Sequence, residues 1–241
     1  MEIIYGKSVV LEALKANHPA SKLYVEAKSK DPQLDEIINL AKKKNLKINS
    51  VDNNYLQNLT KGLHQGVALE VEEYKYYDLD KVLKNLNKEK PVFVMLDGLE
   101  DPHNLGAILR TCDASGVDGV IIPKNRSVKL SPTVAKVSTG AIEYVKVIEV
   151  TNLTQTIKKL QSLGYWVCTA EKTNNSVLYD KVDYDMPVVL VIGSEGKGVS
   201  RLVKEASDFI IEIPMCGHVN SLNASVSAAI LIYEIMKTRR G

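Results

Sequence analysis

Hydrophobic residues recur along this chain in two patterns. Short continuous apolar runs, such as 92–96 and 188–192, are typical of strands buried on both faces of a sheet. Other stretches, such as 153–163, carry apolar residues three or four positions apart, which predicts amphipathic helices. From residue 91 onward the two patterns alternate repeatedly. This alternation predicts an α/β fold whose mostly parallel sheet is covered by helices on both faces.

The predicted elements of this region follow from the same two patterns. The predicted strands are 92–96, 117–122, 144–150, 165–170, 188–192 and 209–213. The predicted helices are 105–115, 132–138, 153–163, 200–206 and 226–236.

The N-terminal third has its own, smaller set of elements. Helices are predicted at 7–15 and 33–44, and strands at 22–25, 46–48 and 67–71. Residues 72–90 are polar and charged and carry one short predicted helix, as expected for a linker. We therefore predict a small α/β domain at 1–75, a linker at 76–90 and a larger domain at 91–241.

Composition narrows the functional classes. The 241 residues are 45% hydrophobic and 25% charged, with a net charge of only +2, so any nucleic-acid-binding surface must be local. Cys112, Cys168 and Cys216 are odd in number and widely spaced, which fits reduced thiols and neither a disulfide framework nor a metal site. No signal peptide or membrane-spanning run is recognisable. These features predict a cytoplasmic protein that binds no metal and no membrane.

Candidate chemistry begins directly after the first strand of the larger domain, in residues 97–113. The carboxyl edge of a parallel sheet is where such folds bind ligands. Asn104 lies near a predicted helix start and is a candidate N-cap. Arg110 falls among apolar neighbours and needs either a partner or an exit to solvent.

A second candidate is the glycine-rich loop Gly193-Ser194-Glu195-Gly196-Lys197-Gly198, which follows a buried strand. Its spacing matches neither the P-loop nor the dinucleotide fingerprint. A carboxylate in the middle of the loop would repel phosphate, so the pattern favours a ligand that is not chiefly a phosphate. A simple glycine-rich turn is the alternative.

A third candidate lies between Ile213-Pro214 and the apolar C-terminal helix. Pro214 ends a strand because it cannot donate to a sheet ladder. The polar residues Asn220, Ser221, Asn223 and Ser225 follow within six positions. One helix cap needs only one such residue, so the cluster also suits the binding of a polar ligand.

Together the three segments resemble the SpoU/TrmH family (SPOUT class) of S-adenosylmethionine-dependent RNA 2′-O-ribose methyltransferases. The matching residues are Asn104-x5-Arg110-Thr111, Gly193-Ser-Glu195-Gly-x-Gly198, and Ile213-Pro214 through Ser221-Leu222-Asn223-x-Ser225. The N-terminal third, with Tyr5-Gly6 and His64-Gln65-Gly66, looks like the L30e-like RNA-binding domain of one branch. That branch methylates a guanosine ribose in the peptidyl-transferase region of large-subunit (23S) ribosomal RNA.

The resemblance implies a C-terminal trefoil knot, a homodimer, and S-adenosylmethionine held in the knot by Gly193, Ile213 and Leu222. It also implies that five residues surround the methyl donor and the target ribose, namely Asn104, Arg110, Glu195, Ser221 and Asn223. The family assigns the general-base role to Arg110. Because a guanidinium stays protonated in proteins, our hypothesis is that it clamps a phosphate or polarises the ribose oxygen.

The expected partner is RNA. The stretch 123–140 contains Lys124, Arg126, Lys129 and Lys136 and no acidic residue, which suits a phosphate backbone, although a solvated loop is the alternative. Two other functions remain open from sequence. One alternative is a tRNA-modifying cousin, and the other is a non-catalytic RNA-binding or ribosome-assembly factor on the same scaffold.

Overall fold

The computed structural model describes residues 1–27, 31–60 and 62–239. The chain folds as two compact units. Unit 1 contains Met1–Lys75 and Leu130–Tyr144, and unit 2 contains Tyr76–Lys129 and the described residues from Val145 onward. The segment 130–144 lies inside the predicted 91–241 domain in sequence, yet it belongs to unit 1. No helix in the described ranges is both long and apolar enough to cross a membrane.

The elements are numbered in chain order. The strands are β1 (Glu2–Tyr5), β2 (Ala20–Glu26), β3 (Lys47–Val51), β4 (Val67–Val71), β5 (Val92–Asp97), β6 (Gly119–Pro123), β7 (Val147–Val150), β8 (Trp166–Ala170), β9 (Val177–Leu178), β10 (Val188–Gly193) and β11 (Phe209–Glu212). The helices are α1 (Lys7–Lys15), α2 (Pro32–Lys43), α3 (Asn53–Thr60), α4 (Leu79–Lys84), α5 (Pro102–Ser115), α6 (Pro132–Val137), α7 (Leu153–Ser162), α8 (Arg201–Ala206) and α9 (Ala224–Lys237).

Unit 1 is a mixed sheet in the order β1-β4-β2-β3 with helices packed on it. β4 is antiparallel to both β1 and β2, and β2 is parallel to β3. Helix α2 begins where Asp31 accepts a bond from the Gln33 N–H and Pro32 fixes the first turn. Its apolar face, including Leu34 and Ile37, is buried, so hydrophobic burial holds the helix in place.

Unit 2 is a fully parallel sheet in the order β7-β6-β5-β10-β8-β11-β9. β5 and β10 lie side by side near its middle, with Val188 opposite Val92 and Gly193 opposite Asp97. Both strands are buried along their length apart from these last residues. The prediction of a mostly parallel sheet is confirmed for this unit.

Helices cover both faces of this sheet. One face packs against α4, α7 and α8 through a core that joins strand residues such as Phe93 and Val191 to helix residues such as Ile157 and Val203. On the other face, α9 packs against β10 and α5, and α5 contacts β6. All the carboxyl ends of the strands therefore meet at one edge, where the loops that carry the candidate residues emerge.

Several local predictions were wrong. Helix α5 begins at Pro102, because Asp101 accepts the His103 N–H and Pro102 occupies the first helical position, so Asn104 is not its N-cap. Strand β7 begins at Val147 and not at residue 144 as predicted, because a turn and a bend at 144–145 follow the 3₁₀ turn Ala141–Glu143. The strands β1 and β9 and the helix α3 were not predicted.

Candidate functional site

Three predicted residues from three distant segments meet at the carboxyl edge of the unit 2 sheet. The Asn104 side-chain N–H donates to Glu195 Oε1 at 3.1 Å. The Asn223 side-chain nitrogen donates to Glu195 Oε1 at 2.5 Å and to Asn104 Oδ1 at 2.9 Å. The backbone N–H of Ala224 also points to Glu195 Oε1, at 3.4 Å. One carboxylate oxygen thus ties together the start of α5, the glycine-rich loop and the start of α9.

Asn104 can take part because of where α5 begins. With Asp101 acting as the cap, Asn104 lies in the first turn, and its residue is only 5% exposed. A buried carboxamide is expected to be hydrogen-bonded, and both its oxygen and its nitrogen find partners in this cluster.

Asn223 has two functions in the structure. Its side-chain oxygen caps α9 by accepting the backbone N–H groups of Ser225 at 2.9 Å and Val226 at 3.3 Å. Its side-chain nitrogen makes the two bonds to Glu195 and Asn104. Asn223 is therefore more than a helix cap.

The glycine-rich loop is closed by a close backbone approach. Ser194 and Gly198 exchange backbone hydrogen bonds at 3.2 and 2.9 Å. A Cβ atom at Gly193 would lie 2.3 Å from the carbonyl carbon of Gly198, so only glycine fits there. This closure puts Glu195 at the tip of a tight turn facing α5 and α9.

A cleft of about 430 Å³ opens beside this turn. It is lined by the loops that follow β8, β10 and β11, and its lining includes all three predicted cofactor-binding residues, Gly193, Ile213 and Leu222. Ser221 and Glu195 line the same cleft. Hereafter it is called the knot-loop cleft, after the knot that the family resemblance predicts for these loops.

Two carboxylates that the sequence did not point to hold the loop in place. Glu171 accepts the Val199 N–H at 3.1 Å and the Lys204 ammonium at 2.6 Å. Asp97 accepts the Ser200 N–H at 2.7 Å. The only sequence signal was position, since Asp97 ends a buried strand and Glu171 directly follows one.

Arg110 does not join the cluster within the chain. It lies six residues beyond Asn104 on α5, about 9 Å further along the helix axis, and it is exposed. Arg110 therefore extends to solvent, which was one of the two outcomes that its apolar neighbours allowed.

The basic stretch 123–140 is divided between the two units. Lys124 and Arg126 are exposed in unit 2. Lys129 pairs with Glu149 at 2.5 Å, and its ammonium lies 5.6 Å from the centre of the Tyr76 ring. Lys136 belongs to unit 1, where burial lowers its pKa and its ammonium donates to the Leu63 carbonyl at 2.9 Å.

Comparison with known families fits this arrangement. Residues 91–233, which contain all three segments, match the model of the SpoU rRNA Methylase family. The chain belongs to the SpoU rRNA methylase family. Residues 3–77 match a second model, described as RNA 2′-O ribose methyltransferase substrate binding. The predicted SpoU/TrmH resemblance is confirmed, and the protein is an RNA methyltransferase of that family.

Relatives match over almost the whole chain. A protein of Staphylococcus haemolyticus, described as a TrmH family tRNA/rRNA methyltransferase, is 49% identical over 239 residues, which cover 98% of this chain and 96% of the relative. A protein of Staphylococcus aureus (strain MSSA476) with the same description is 50% identical over 240 residues, with the same coverage.

Solved SpoU structures share the fold. The AdoMet-bound rRNA methyltransferase from Sinorhizobium meliloti has a TM-score of 0.84 at 23% identity, covering 100% of this chain and 88% of that one. The AviRb SpoU methyltransferase of Streptomyces viridochromogenes, solved with AdoMet, has a TM-score of 0.83 at 21% identity, covering 98% and 90%. Among the residues described in our structure, no three His, Cys, Asp or Glu side chains group as metal ligands would.

Proposed function

We propose that this protein transfers a methyl group from S-adenosylmethionine to a ribose 2′-oxygen of RNA, and that the target is a guanosine of 23S ribosomal RNA. The observation that carries the proposal is the meeting of Asn104, Glu195 and Asn223 at one carboxylate oxygen beside the knot-loop cleft. Family membership supports the reaction class, and this geometry supports the location that we propose for it.

The size and the backbone lining of the cleft suit S-adenosylmethionine. S-adenosylmethionine carries an adenine, a ribose and a charged amino-acid end, and a cleft of about 430 Å³ lies within the range typical of small-ligand sites. The close backbone approach at Gly193 leaves no room for a side chain there. In this proposal the backbones of Gly193, Ile213 and Leu222 hold the adenosine part. Two homologous folds solved with AdoMet add support.

When bound, S-adenosylmethionine supplies a methyl group on a positively charged sulfur. The chain's own residues orient the acceptor. Asn104 and Asn223 are fixed by bonds to each other and to Glu195, so the cluster is preorganised before substrate arrives. Ser221, at the cleft wall, completes the polar surface for the ribose hydroxyl. The ribose oxygen forms a bond to the methyl carbon as the carbon–sulfur bond breaks and leaves a neutral thioether, and the hydroxyl proton passes to solvent water. Positioning provides much of the acceleration.

Arg110 enters this proposal from a second copy of the chain. It is exposed and outside the cluster of its own protomer, as expected of a residue that serves a neighbouring site. Helix α9, which packs against α5, has an apolar surface with Val226 46% exposed and Tyr233 43% exposed, and Ala229 and Ile230 half-buried. Such a surface suits a homodimer interface. Met236 of the same helix is buried within the protomer and does not contribute to this surface.

Mixed dimers test this assignment. Arg110→Ala and Asn223→Ala protomers, each inactive alone, are combined and allowed to exchange. If each site takes Arg110 from the partner, one site of every mixed dimer contains no substitution, and random mixing restores about a quarter of the wild-type rate. No restoration would show that Arg110 serves its own protomer. Arg110→Lys is expected to stay poor, since a lysine cannot make a bidentate contact.

Unit 1 is proposed to be the L30e-like RNA-binding domain, consistent with the substrate-binding model matched by residues 3–77. A ribosomal target is favoured because the S. meliloti rRNA methyltransferase fold covers 100% of this chain. The A. aeolicus TrmH/SpoU tRNA-modifying enzyme covers only 67% of it, at a TM-score of 0.58 and 33% identity. The proposed place of action is the cytoplasm, where the three free cysteines stay reduced.

The trefoil knot is also a proposal. Strand β11 lies two places from β10 in the sheet, yet α9, which follows it, packs against β10 and α5. The connection 213–223 therefore returns from the sheet edge to its middle, beside the glycine-rich loop. Threading of this return through that loop would make the knot, which is a rare exception among folds.

Radiolabelled methyl transfer tests the function itself. The full-length protein is incubated with labelled S-adenosylmethionine and RNA from a strain lacking it. We expect label in large-subunit RNA with the wild type and none with Asn223→Ala. Label in tRNA would change the target but not the reaction. RNA binding without label would favour the non-catalytic assembly factor instead.

A further inference from the structure

A second, larger cavity adjoins the knot-loop cleft, and the proposed cofactor does not account for it. It encloses about 730 Å³, large enough for a nucleotide. Its lining comes from the loops that follow β5, β6, β7 and β10 and from the first turn of α8. Every one of these segments belongs to unit 2. Hereafter it is called the switch-point cavity.

The cavity lies where the strand order of the sheet changes direction. From β5 the chain moves to β6 and β7 on one side, whereas β10 has β8, β11 and β9 on its other side. The loops after β5 and β10 therefore diverge at a topological switch point. Open parallel sheets bind ligands in the crevice at such points.

The switch-point cavity is connected to the methyl-transfer cluster through shared residues. Asn104 and Glu195 line it, and Glu195 also lines the knot-loop cleft. A ribose placed at Asn104 and Glu195 between the two spaces can therefore direct its base into the switch-point cavity.

Asp97 gives this cavity a chemical preference. It is half-buried, it lines the cavity, and one of its oxygens accepts the Ser200 N–H at 2.7 Å, which fixes the carboxylate. An ionised carboxylate only accepts hydrogen bonds. Of the four RNA bases, guanine alone presents two adjacent donors, the N1–H and the 2-amino group, on its Watson–Crick edge.

We infer that the switch-point cavity binds the base of the nucleotide whose ribose is methylated, and that Asp97 selects guanine. This inference rests on the proposed methyl transfer and deepens it by naming the base pocket and its selecting group. RNA modules commonly read single-stranded bases by their Watson–Crick edges, so the target guanosine enters unpaired.

The test compares Asp97→Asn with wild type on two RNAs. One carries the target guanosine, and the other carries inosine there, which keeps N1–H and lacks the 2-amino group. Single-turnover methyl transfer by the wild type should fall about tenfold or more from guanosine to inosine, as a hydrogen bond to a charged group is lost. Asp97→Asn should lose a larger factor on guanosine than on inosine, because the 2-amino contact that the variant removes is already absent from inosine.

One outcome would contradict the selection of guanine by Asp97. If Asp97→Asn slows transfer to both RNAs by the same factor, Asp97 only supports the loop and the selection role is overturned. The asparagine keeps an oxygen for the Ser200 N–H, so S-adenosylmethionine affinity is expected to be unchanged. Glu100→Gln, at an exposed carboxylate lining the same cavity, is the matched control and should retain the preference for guanosine.

The inference and the proposed function fail in different ways. Methyl label on the ribose of another base leaves methyl transfer standing and overturns the guanine pocket. If no RNA is methylated, the proposed function fails, and the pocket is still tested by saturation-transfer NMR with guanosine and adenosine monophosphates. A wild-type preference for guanosine monophosphate that Asp97→Asn abolishes supports the pocket. Equal binding, or no binding, of the two nucleotides overturns it.

Discussion

The side-chain nitrogen of Asn223 donates to the Glu195 carboxylate across 2.5 Å, although 28 residues separate the two along the chain. The same nitrogen reaches Asn104 Oδ1 at 2.9 Å, and that residue is 119 positions away. A single carboxamide thus joins the starts of two helices to the tip of the glycine-rich loop. The cluster therefore depends on one hydrogen-bond donor, the side-chain nitrogen of Asn223.

Asn223→Asp removes this donor and keeps the helix cap, so it tests the role of the donor most directly. Asn223→Asp still caps α9 but brings a second carboxylate against Glu195, so the cluster loses its two bonds from the Asn223 nitrogen and gains a repulsion. We expect methyl transfer to fall at least a hundredfold and unfolding free energy to fall by about 1–3 kcal/mol. Denaturant unfolding and transfer rates measure the two effects. Asn223→Ser separates loss of the donor from added charge, and near-wild-type transfer by Asn223→Asp would contradict the account.

The closed glycine-rich loop makes a second prediction. Gly193→Ala places a methyl group 2.3 Å from the Gly198 carbonyl carbon, so the loop must open. Overpacking of this kind costs about 1–3 kcal/mol, and S-adenosylmethionine binding measured by calorimetry should be lost or strongly weakened. Gly217→Ala is the matched control, because an added Cβ at Gly217 has no neighbour within 4 Å among the described residues. Equal affinity in both variants would count against the closed loop as part of the cofactor site.

Much of unit 2 could be predicted because its strands are continuous apolar runs bounded by polar turns. Helix α3 was missed because it is largely polar, with Leu56 and Thr60 its buried residues. Asn104 was misassigned as a cap because Asp101-Pro102 is the stronger start signal. The role of Glu171 depends on β8 lying beside β10, and that strand order has no local sequence signal. The grouping of 130–144 with unit 1 has none either.

The divided basic stretch predicts unequal contributions to RNA binding. Lys124 and Arg126 are exposed in unit 2, whereas Lys129 is paired with Glu149. Replacing Lys124 and Arg126 together by alanine should weaken RNA binding and reduce the slope of log affinity against log salt by about 1.4, for two lost phosphate contacts on single-stranded RNA. Lys129→Ala is the control and should change the slope much less. An unchanged slope in the double variant would reject these residues as phosphate contacts.

A half-buried histidine, His18, predicts how the stability of unit 1 depends on pH. Burial lowers the pKa of His18, but its hydrogen bonds to Glu143 at 3.0 Å and to the Glu72 carbonyl at 2.9 Å raise it, and the net pKa lies above the usual value. Protonated His18 therefore stabilises the fold below its unfolded pKa of about 6.5, and this contribution is lost as pH rises through the higher folded value.

His18→Asn should consequently lower the melting temperature more at about pH 5.5 than at about pH 8.5. Thermal unfolding of the full-length protein at both pH values measures the difference. His103→Asn, at an exposed histidine of unit 2, serves as control. A penalty that is the same at both pH values would show that His18 contributes by packing alone.

The most direct test of the central claim is the chemical position of the transferred methyl group. RNA labelled by the full-length protein is digested by alkali, which needs a free 2′-hydroxyl to cleave the adjacent phosphodiester. The account predicts label in an alkali-resistant dinucleotide whose 5′ nucleoside is guanosine. Label released in mononucleotides, and hence on a base, would contradict a site built around a ribose hydroxyl at Asn104, Glu195 and Asn223.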